Sequence, residues 1–568
     1  MRIRSLRHVI YGLFFLLIGD LFFLQVVQGP RFASQSEKNR IRLVPESAAR
    51  GIIFDRNNIP LVENVLSFDV VALPQEIERS RVVALCGRLG DLLGMPAEAL
   101  AEKIEAAPQA GFFPVLLAAN VDRRTAFTIE QAMTQLGGIT VQPRIMRRYL
   151  FGPATGHVMG YVGKMSEQDF PADQRTYGVP ANDVIGKSGI ERSQETLLRG
   201  HPGGMQLEVN SKGAIVRVIS YRPPAVGEDV TLTIDVRLQE KIQALFAGQS
   251  GAAVVMDAQS GEVLALHSEP AYDPNAFLSQ DSAAITRLLN DRRAPLLNRC
   301  LNAYAPGSIF KMVTAYAGLS ERKITPQTTF VCTGEFTIGN SVRHCWLEQG
   351  HGEIDLEQAL AQSCNVYFWE TGLRVGDQSL ARYAHEFELG QVTGIELSGE
   401  QPGTVPNAHW KVAALKERWF GGDTVNFAIG QGYVLMSPLQ AARMVSMIAN
   451  NGKPVRPYLV KKKYPSAPER PQLRPELLEP IRRGMGLVVQ SGSGTGRRAA
   501  IDGLQIYGKT GTAEASGGEP HAWFIGYVAL GQRTVSFAVF VEHGGHGGEA
   551  PVEITRELIG FLKEQLSV

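Results

Sequence analysis

Three short segments in the second half of the chain place hydroxyl, amine and amide side chains where they could run nucleophilic chemistry. The first is Tyr304-Ala305-Pro306-Gly307-Ser308-Ile309-Phe310-Lys311, in which Pro306-Gly307 closes a loop and Ile309 to Leu319 reads as a helix. Residues three apart share a helix face, so Ser308 and Lys311 can meet. A serine hydroxyl attacks a carbonyl only once a base takes its proton. A lysine serves when burial and a nearby cation lower its pKa toward neutrality. A helix that starts at the nucleophile also aims free backbone N–H groups at the carbonyl under attack. The second segment is Ser363-Cys364-Asn365. In an extended turn its hydroxyl can relay a proton to a leaving amine while its amide holds a substrate carbonyl. The third is Lys509-Thr510-Gly511-Thr512, after the strand-like Leu504 to Gly508. Its lysine and two hydroxyls suit a carboxylate, and Gly511 lets a substrate backbone lie against the strand. Each has a bland counterpart: a chance Ser-x-x-Lys, a turn-closing Ser-x-Asn, an edge strand with an exposed lysine. Their order in one chain outweighs those readings.

These groups need a scaffold. Asp229 to Asp235 alternates as a strand and leads into a helix from Val236 to Phe246. Gly251 to Asp257 and Glu262 to Leu266 form a hairpin about Ser260-Gly261. Further strands in Ala522 to Phe540, where His521 and Trp523 read as packing groups, predict a sheet flanked by helices. A boundary falls near Tyr221-Arg222-Pro223-Pro224. Upstream, Arg50 to Asn58 reads as a short strand and turn, and Val82 to Ala107 as helices, on the spacing of Val83, Leu85, Leu89, Leu92, Leu93 and Leu100. Tyr149 to Gly163 and Gly186 to Glu191 read as glycine-rich turns. No pairing of nucleophile and base stands out there, which predicts a non-catalytic stalk.

A chain of 568 residues should hold two or three folded units, and 44% hydrophobic with 20% charged residues is a globular balance. With 57 basic against 56 acidic side chains there is no excess that a polyanion-binding protein would need. Arg2, Arg4 and Arg7 precede an apolar run from Val9 to Val27, long enough to cross a bilayer as a helix. Positive charge before the run places the N-terminus in the cytoplasm and the remainder outside. A cleaved signal peptide would need a shorter core and a small-x-small site, which Gly29-Pro30-Arg31-Phe32 does not supply. Asp20, inside the run, is either a tolerated polar residue or a contact with another membrane protein.

On these motifs the chain resembles the class B penicillin-binding proteins, membrane-anchored peptidoglycan D,D-transpeptidases that share their motif set with β-lactamases. The likeness extends to Arg50-Gly51-Ile52-Ile53-Phe54-Asp55-Arg56, Gly186-Lys187-Ser188-Gly189-Ile190-Glu191, Leu297-Asn298-Arg299, Ile429-Gly430-Gln431-Gly432-Tyr433 and Ser437-Pro438-Leu439-Gln440. Trp419-Phe420-Gly421-Gly422-Asp423-Thr424 resembles the elongation-type branch, penicillin-binding protein 2-like, with the division-specific transpeptidase as the nearest alternative. The resemblance implies an α/β (α+β) transpeptidase domain over residues 223–568, with a central antiparallel sheet flanked by helices. It also implies an elongated α+β pedestal, a dimerisation-like domain, over 29–222, and a cytoplasmic tip with membrane anchor over 1–28.

Carried onto this chain, the family pattern makes Ser308 the nucleophile toward the D-Ala-D-Ala carbonyl and Lys311 its base, with Ser363 and Lys509 as a proton relay. Asn365 would bind the stem peptide, Thr510, Gly511 and Thr512 its carboxylate end, and the N–H groups of Ser308 and Thr512 would form the oxyanion hole. An amine from a neighbouring stem peptide would then take the acyl group, and β-lactams would acylate Ser308 in the same way. Glycan polymerisation would need a partner, a polytopic glycosyltransferase of the SEDS type, alongside elongation scaffold proteins; nucleic acid has no place. A serine β-lactamase or D,D-carboxypeptidase shares the motifs but passes the acyl group to water, and a non-enzymatic β-lactam sensor or scaffold is a third class. An anchor and a large pedestal favour transpeptidation in a membrane complex.

Of five cysteines, Cys332, Cys345 and Cys364, with His351, match a structural Cys3His zinc site in donor type, though not in the compact spacing of a zinc finger. Some elongation-type relatives look to carry such a site behind the active site. The competing reading is a Cys332–Cys345 disulfide in an oxidising compartment, which leaves Cys364 unpaired. On that resemblance zinc is preferred slightly; if it is bound, the position of Cys364 is explained, since the middle residue of the Ser-x-Asn turn must point into the structure behind it. Cys86 and Cys300 read as buried fillers.

Overall fold

The computed structural model describes residues 2–30, 41–106, 114–132, 136–164, 184–209, 215–279, 282–461, 472–515 and 517–566; Arg31, Phe32 and Ala107 lie outside them. The N-terminal run is one α-helix, Arg2–Phe22, that loosens into a π turn at Phe23–Val27. Ile10–Val27 is 18 residues of apolar helix, none of it buried against the rest of the chain. At 1.5 Å per residue it reaches about 27 Å, close to the hydrocarbon thickness of a bilayer.

Among the described residues, two sheets of three or more strands carry the pedestal region, beside a two-stranded pair of Val162–Lys164 with Val184–Gly186. In the larger, Pro60–Ala72 pairs antiparallel with Ile53–Phe54, Val115–Val121 and Ile139–Tyr149. The smaller runs Ile41–Glu46, Gly203–Val209, Ile215–Arg222. Helices Val82–Leu93 and Ala97–Glu105 bury Leu85, Cys86, Leu89, Leu100 and Ile104 against the larger sheet, with Gly94 at φ 64° ending the first. Charge also holds this domain. Fully buried Glu191 accepts from Arg50 Nη2 at 2.8 Å and from Arg147 Nε at 2.7 Å, while Arg50 also reaches Glu195 at 2.8 Å. Charges this deep persist only when paired. The pairing clamps the segment entering the first long hairpin to helix Gly189–Ser193 and to strand Ile139–Tyr149.

Two expectations change here. The glycine-rich stretch after Tyr149 is not all turn: Gly152–Met159 is a helix. Its Gly156 is required by approach rather than by bending, since a Cβ there would collide with the Tyr272 carbonyl oxygen of the next domain. The strand expected over Asp229 to Asp235 is only Val230–Thr231, parallel to Ile53–Phe54. Leu232 then leaves to bridge Val460, so this short stretch stitches the pedestal to the C-terminal domain.

The C-terminal domain is built on an antiparallel sheet in the order Val263–Glu269, Gly251–Asp257, Arg533–Val541, His521–Leu530, Ile506–Ala513. Side-chain alternation splits its strands between two cores. Ala252, Val254, Met256, Trp523 and Ile525 pack with the helix Lys311–Ser320. Ala253, Val255, Phe524 and Val539 pack with helices Val236–Phe246 and Ala550–Leu566. With both faces covered, the free edge of Ile506–Ala513 is where a cleft can form.

Candidate active site

The nucleophile candidate sits on a tight turn. Gly307–Phe310 is 3₁₀-helical and the α-helix begins only at Lys311 (Lys311–Ser320), so the first turn differs from the helix expected from Ile309. In a 3₁₀ turn residues i and i+3 eclipse, which puts Ser308 and Lys311 on one face. The turn is wedged between two others. Gly307, at φ 57°, donates its N–H to the Gly430 carbonyl at 2.8 Å. A Cβ on Gly307 would collide with the Thr512 carbonyl oxygen, and one on Gly430 with the Gly307 carbonyl. Behind it, Trp523 Nε1 donates to the Ala305 carbonyl at 3.1 Å, and Tyr304 exchanges two 2.9 Å backbone bonds with Met436. Trp523 was expected to pack a strand; it also fastens the turn that carries Ser308. Ser308 is half-buried while Lys311 is fully enclosed.

The Ser363 segment is bent more sharply than an extended turn. Helix Leu356–Ala361 ends, Ser363 takes φ 55°, and Asn365 opens the next helix, Asn365–Val375. This bend delivers Ser363 and Asn365 to Lys311. Lys311 Nζ donates to the Asn365 Oδ1 at 2.7 Å, the Ser363 carbonyl at 2.8 Å and the Ser363 Oγ at 3.2 Å. From the sheet edge, Lys509 Nζ donates to the same Ser363 Oγ at 2.9 Å and to the Thr510 carbonyl at 3.0 Å. One serine hydroxyl thus lies between two buried amines. Burial pushes Lys311 down from 10.5 to about 8, partly opposed by the sulfurs of Cys364 and Cys345. Lys509 is pushed well below its ordinary value by burial and then by the charge of Lys311. Two such amines on one hydroxyl cannot both keep a proton cheaply, so one free base is available near neutral pH.

Strand Ile506–Ala513 carries Lys509, Thr510, Gly511 and Thr512 along the cleft. Gly511 has no room for a side chain, with Ile309 and the Pro306 carbonyl about it. Groups that the motifs did not single out complete this wall. Gln431 Nε2 donates to the Thr512 carbonyl at 3.3 Å, Thr512 Oγ1 accepts the Gly547 N–H at 3.1 Å, and Thr510 Oγ1 lies 2.6 Å from Thr495 Oγ1. Gln431 lies inside the glycine segment already noted in the sequence. Thr495 and Gly547 come from loops with no motif of their own and were legible only in three dimensions.

The cysteine cluster lies directly behind the serine turn. One ligand atom each from Cys332, Cys345, His351 and Cys364 all lie within 4.8 Å of one another. His351 Nδ1 is 3.4 Å from Cys332 Sγ and 3.7 Å from Cys345 Sγ. Cys345 Sγ also accepts the Asn365 backbone N–H at 3.4 Å. Hydrogen bonds from Cys364 and His351 hold the Cys345 thiol well below its ordinary value, while the same hydrogen bond with Cys345, and then burial, push Cys364 up. All five cysteines are free thiols, and no disulfide joins Cys332 to Cys345. Three sulfurs and an imidazole nitrogen in one largely buried cluster are the donor set of a closed tetrahedral site.

The family profile described as the penicillin binding protein transpeptidase domain matches residues 251–560, and that of the penicillin-binding protein dimerisation domain matches residues 45–232. Peptidoglycan D,D-transpeptidase MrdA of Haemophilus influenzae is 32% identical over 97% of this chain and 89% of its own. MrdA of Escherichia coli is 30% identical over 96% of this chain and 91% of its own. Among solved structures, the penicillin-binding protein PBP2 of Helicobacter pylori in complex with MreC superposes with TM-score 0.82 at 28% identity, covering 92% of this chain and 99% of that one. A chain of a peptidoglycan synthase complex that coordinates polymerization and crosslinking superposes with TM-score 0.71 at 32% identity, covering 98% of both.

Proposed function

The chain belongs to the penicillin-binding protein transpeptidases, and on that premise we propose how its residues divide the work of crosslinking peptidoglycan. It is a serine-type D-Ala-D-Ala transpeptidase of the elongation type, with a transpeptidase domain on a pedestal and an apolar N-terminal helix. Residues 1–28 act as tip and anchor, 29–222 as pedestal and 223–568 as catalytic domain. The helix crosses the membrane once, with the catalytic domain on the periplasmic side.

The observation that carries the reading is the convergence of Lys311 and Lys509 on the Ser363 hydroxyl. A stem peptide enters with its carboxylate toward Thr510, Gly511 and Thr512 and its amide against Asn365. Burial lowers Lys311 to about 8, so a fraction of it is already free base near neutral pH and that fraction grows as pH rises. Lys311 takes the Ser308 proton as Oγ attacks the penultimate D-Ala carbonyl, and the N–H groups of Ser308 and Thr512 stabilise the developing oxyanion. The proton reaches the leaving D-Ala amine through Ser363, with Lys509 holding that hydroxyl. An acceptor amine repeats the steps in reverse and forms the crosslink. β-Lactams acylate Ser308 by the same route. The test is labelling with fluorescent penicillin followed by mass spectrometry over hours. A lasting adduct on Ser308 is expected; no adduct overturns the assignment, and rapid release of hydrolysed drug makes the protein a lactamase.

One structural zinc ion held by Cys332, Cys345, His351 and Cys364 fits the donor set. When bound it would supply a rigid cross-link and no chemistry of acyl transfer. Cys345 already bonds the Asn365 N–H, so the cluster braces the turn that presents Ser363 and Asn365. Elemental analysis with thiol counting on protein purified without chelator decides this, and a Cys332–Cys345 disulfide without zinc refutes it.

The proposed partners are a SEDS-type glycosyltransferase and a scaffold of the MreC kind; a complex with MreC is known for the H. pylori PBP2. Asp20 lies on the anchor helix, and the contact proposed for it is with the glycosyltransferase. Asp20→Leu should then weaken co-purification and leave penicillin acylation intact; unchanged association removes the contact.

A further inference from the structure

We propose that Thr495 is a positioning residue for the substrate carboxylate, acting through a chain of hydroxyls that reverses direction when the anion arrives. The proposal rests on the reading of Thr510 and Thr512 as the carboxylate site. Thr510 is 6% exposed and its Oγ1 lies 2.6 Å from Thr495 Oγ1. Thr495 Oγ1 is in turn 3.5 Å from the Ala361 carbonyl, which also accepts the Thr495 backbone N–H at 3.2 Å.

Each hydroxyl owns one proton and two lone pairs. Without a ligand, both protons can run one way: Thr510 donates to Thr495, and Thr495 donates to the Ala361 carbonyl. A carboxylate has no proton to offer and needs donors. To bind it, Thr510 must turn its proton outward, which leaves its oxygen in want of a donor. Thr495 can supply it, giving up a long bond to Ala361 for a short one to Thr510. Both protons then point toward the anion, and each bond polarises the next. Rotation about two C–O bonds suffices, and no heavy atom moves.

Thr512 needs no such switch. Its oxygen already accepts the Gly547 N–H at 3.1 Å, which leaves its proton free for a ligand. The neighbouring loops are fastened independently. Gly494 and Gly496 bond back to Ser491 and Val488 at 3.0 and 2.9 Å, and Gly547 lies so close to Gly511 that a Cβ would collide with its carbonyl. Thr495 therefore joins the carboxylate wall to Ala361, two residues before the relay serine, and sets preference for a free carboxylate over a neutral end.

The test compares acylation of the full chain in detergent by benzylpenicillin and by its methyl ester, which lacks the anion. Wild type should prefer the acid. Thr495→Ala should lower that preference about tenfold, the effect of one charge-assisted hydrogen bond, by slowing only the acid. Thr495→Ser should restore it. Valine is avoided because a methyl group would sit 2.6 Å from Thr510 Oγ1. If wild type shows no preference, the carboxylate site itself is misassigned. If wild type prefers the acid and Thr495→Ala keeps the full preference, or slows both compounds alike, the positioning role is overturned.

Discussion

If Lys311 is the base for Ser308, the acylation rate must follow the fraction of Lys311 that is free of its proton. Burial brings this amine from 10.5 to about 8. That leaves about one tenth as free base at pH 7, against about one part in 3,000 for an ordinary lysine, a gain of about 300-fold. Only the free base works, so the sign is fixed: activity rises as pH rises through the folded value and levels off above it. The second-order rate of penicillin acylation should climb about tenfold from pH 7 to a plateau near pH 9. Stopped-flow measurement with a fluorescent penicillin in the presence of detergent reads this directly. Lys311→Arg keeps a cation in the site but removes the base at that position, and should cut the plateau by about 10²–10⁴-fold. A flat profile, a decline with pH, or near-normal acylation by Lys311→Arg would refute Lys311 as the base.

Three further outcomes test the scaffold. Gly307→Ala must hold a side chain at φ 57° and against the Thr512 carbonyl, so penicillin acylation should fall by at least about 100-fold while the circular dichroism of the fold persists. Glu191→Ala leaves Arg50 and Arg147 buried without their shared carboxylate, which should destabilise the pedestal by about 3–5 kcal/mol in denaturant titration; a loss under about 1 kcal/mol would show that water already satisfies them. Cys364→Ser should lower zinc content by mass spectrometry and slow acylation about 10–100-fold by loosening the Ser363–Asn365 turn; full zinc occupancy with normal acylation would separate the cluster from the site.

The legible part of this protein is what local chemistry dictates. An apolar run of helix length, hydroxyl and amine pairs at helical spacing, and alternating strands can each be read from neighbouring residues. Ser308 with Lys311, the strand carrying Lys509, and a sheet flanked by helices therefore stand in the sequence itself. The three cysteines and His351 were grouped by donor type and by family resemblance, not by spacing, because Cys332 and Cys364 are 32 positions apart in the sequence and only folding puts them within 4.8 Å. The same limit hid the glycines of Gly152–Met159, whose role is contact with another domain, and the short Val230–Thr231 strand, whose successor is claimed by Val460. Residue types and their order determined which reaction this chain could perform. Tertiary structure decided that two lysines share one serine, that both are driven below their ordinary pKa by burial, and that Thr495 and Gly547 reach Thr510 and Thr512 on the edge strand. Desolvation and hydrogen-bond direction depend on what surrounds an atom in space, and chain order does not contain that.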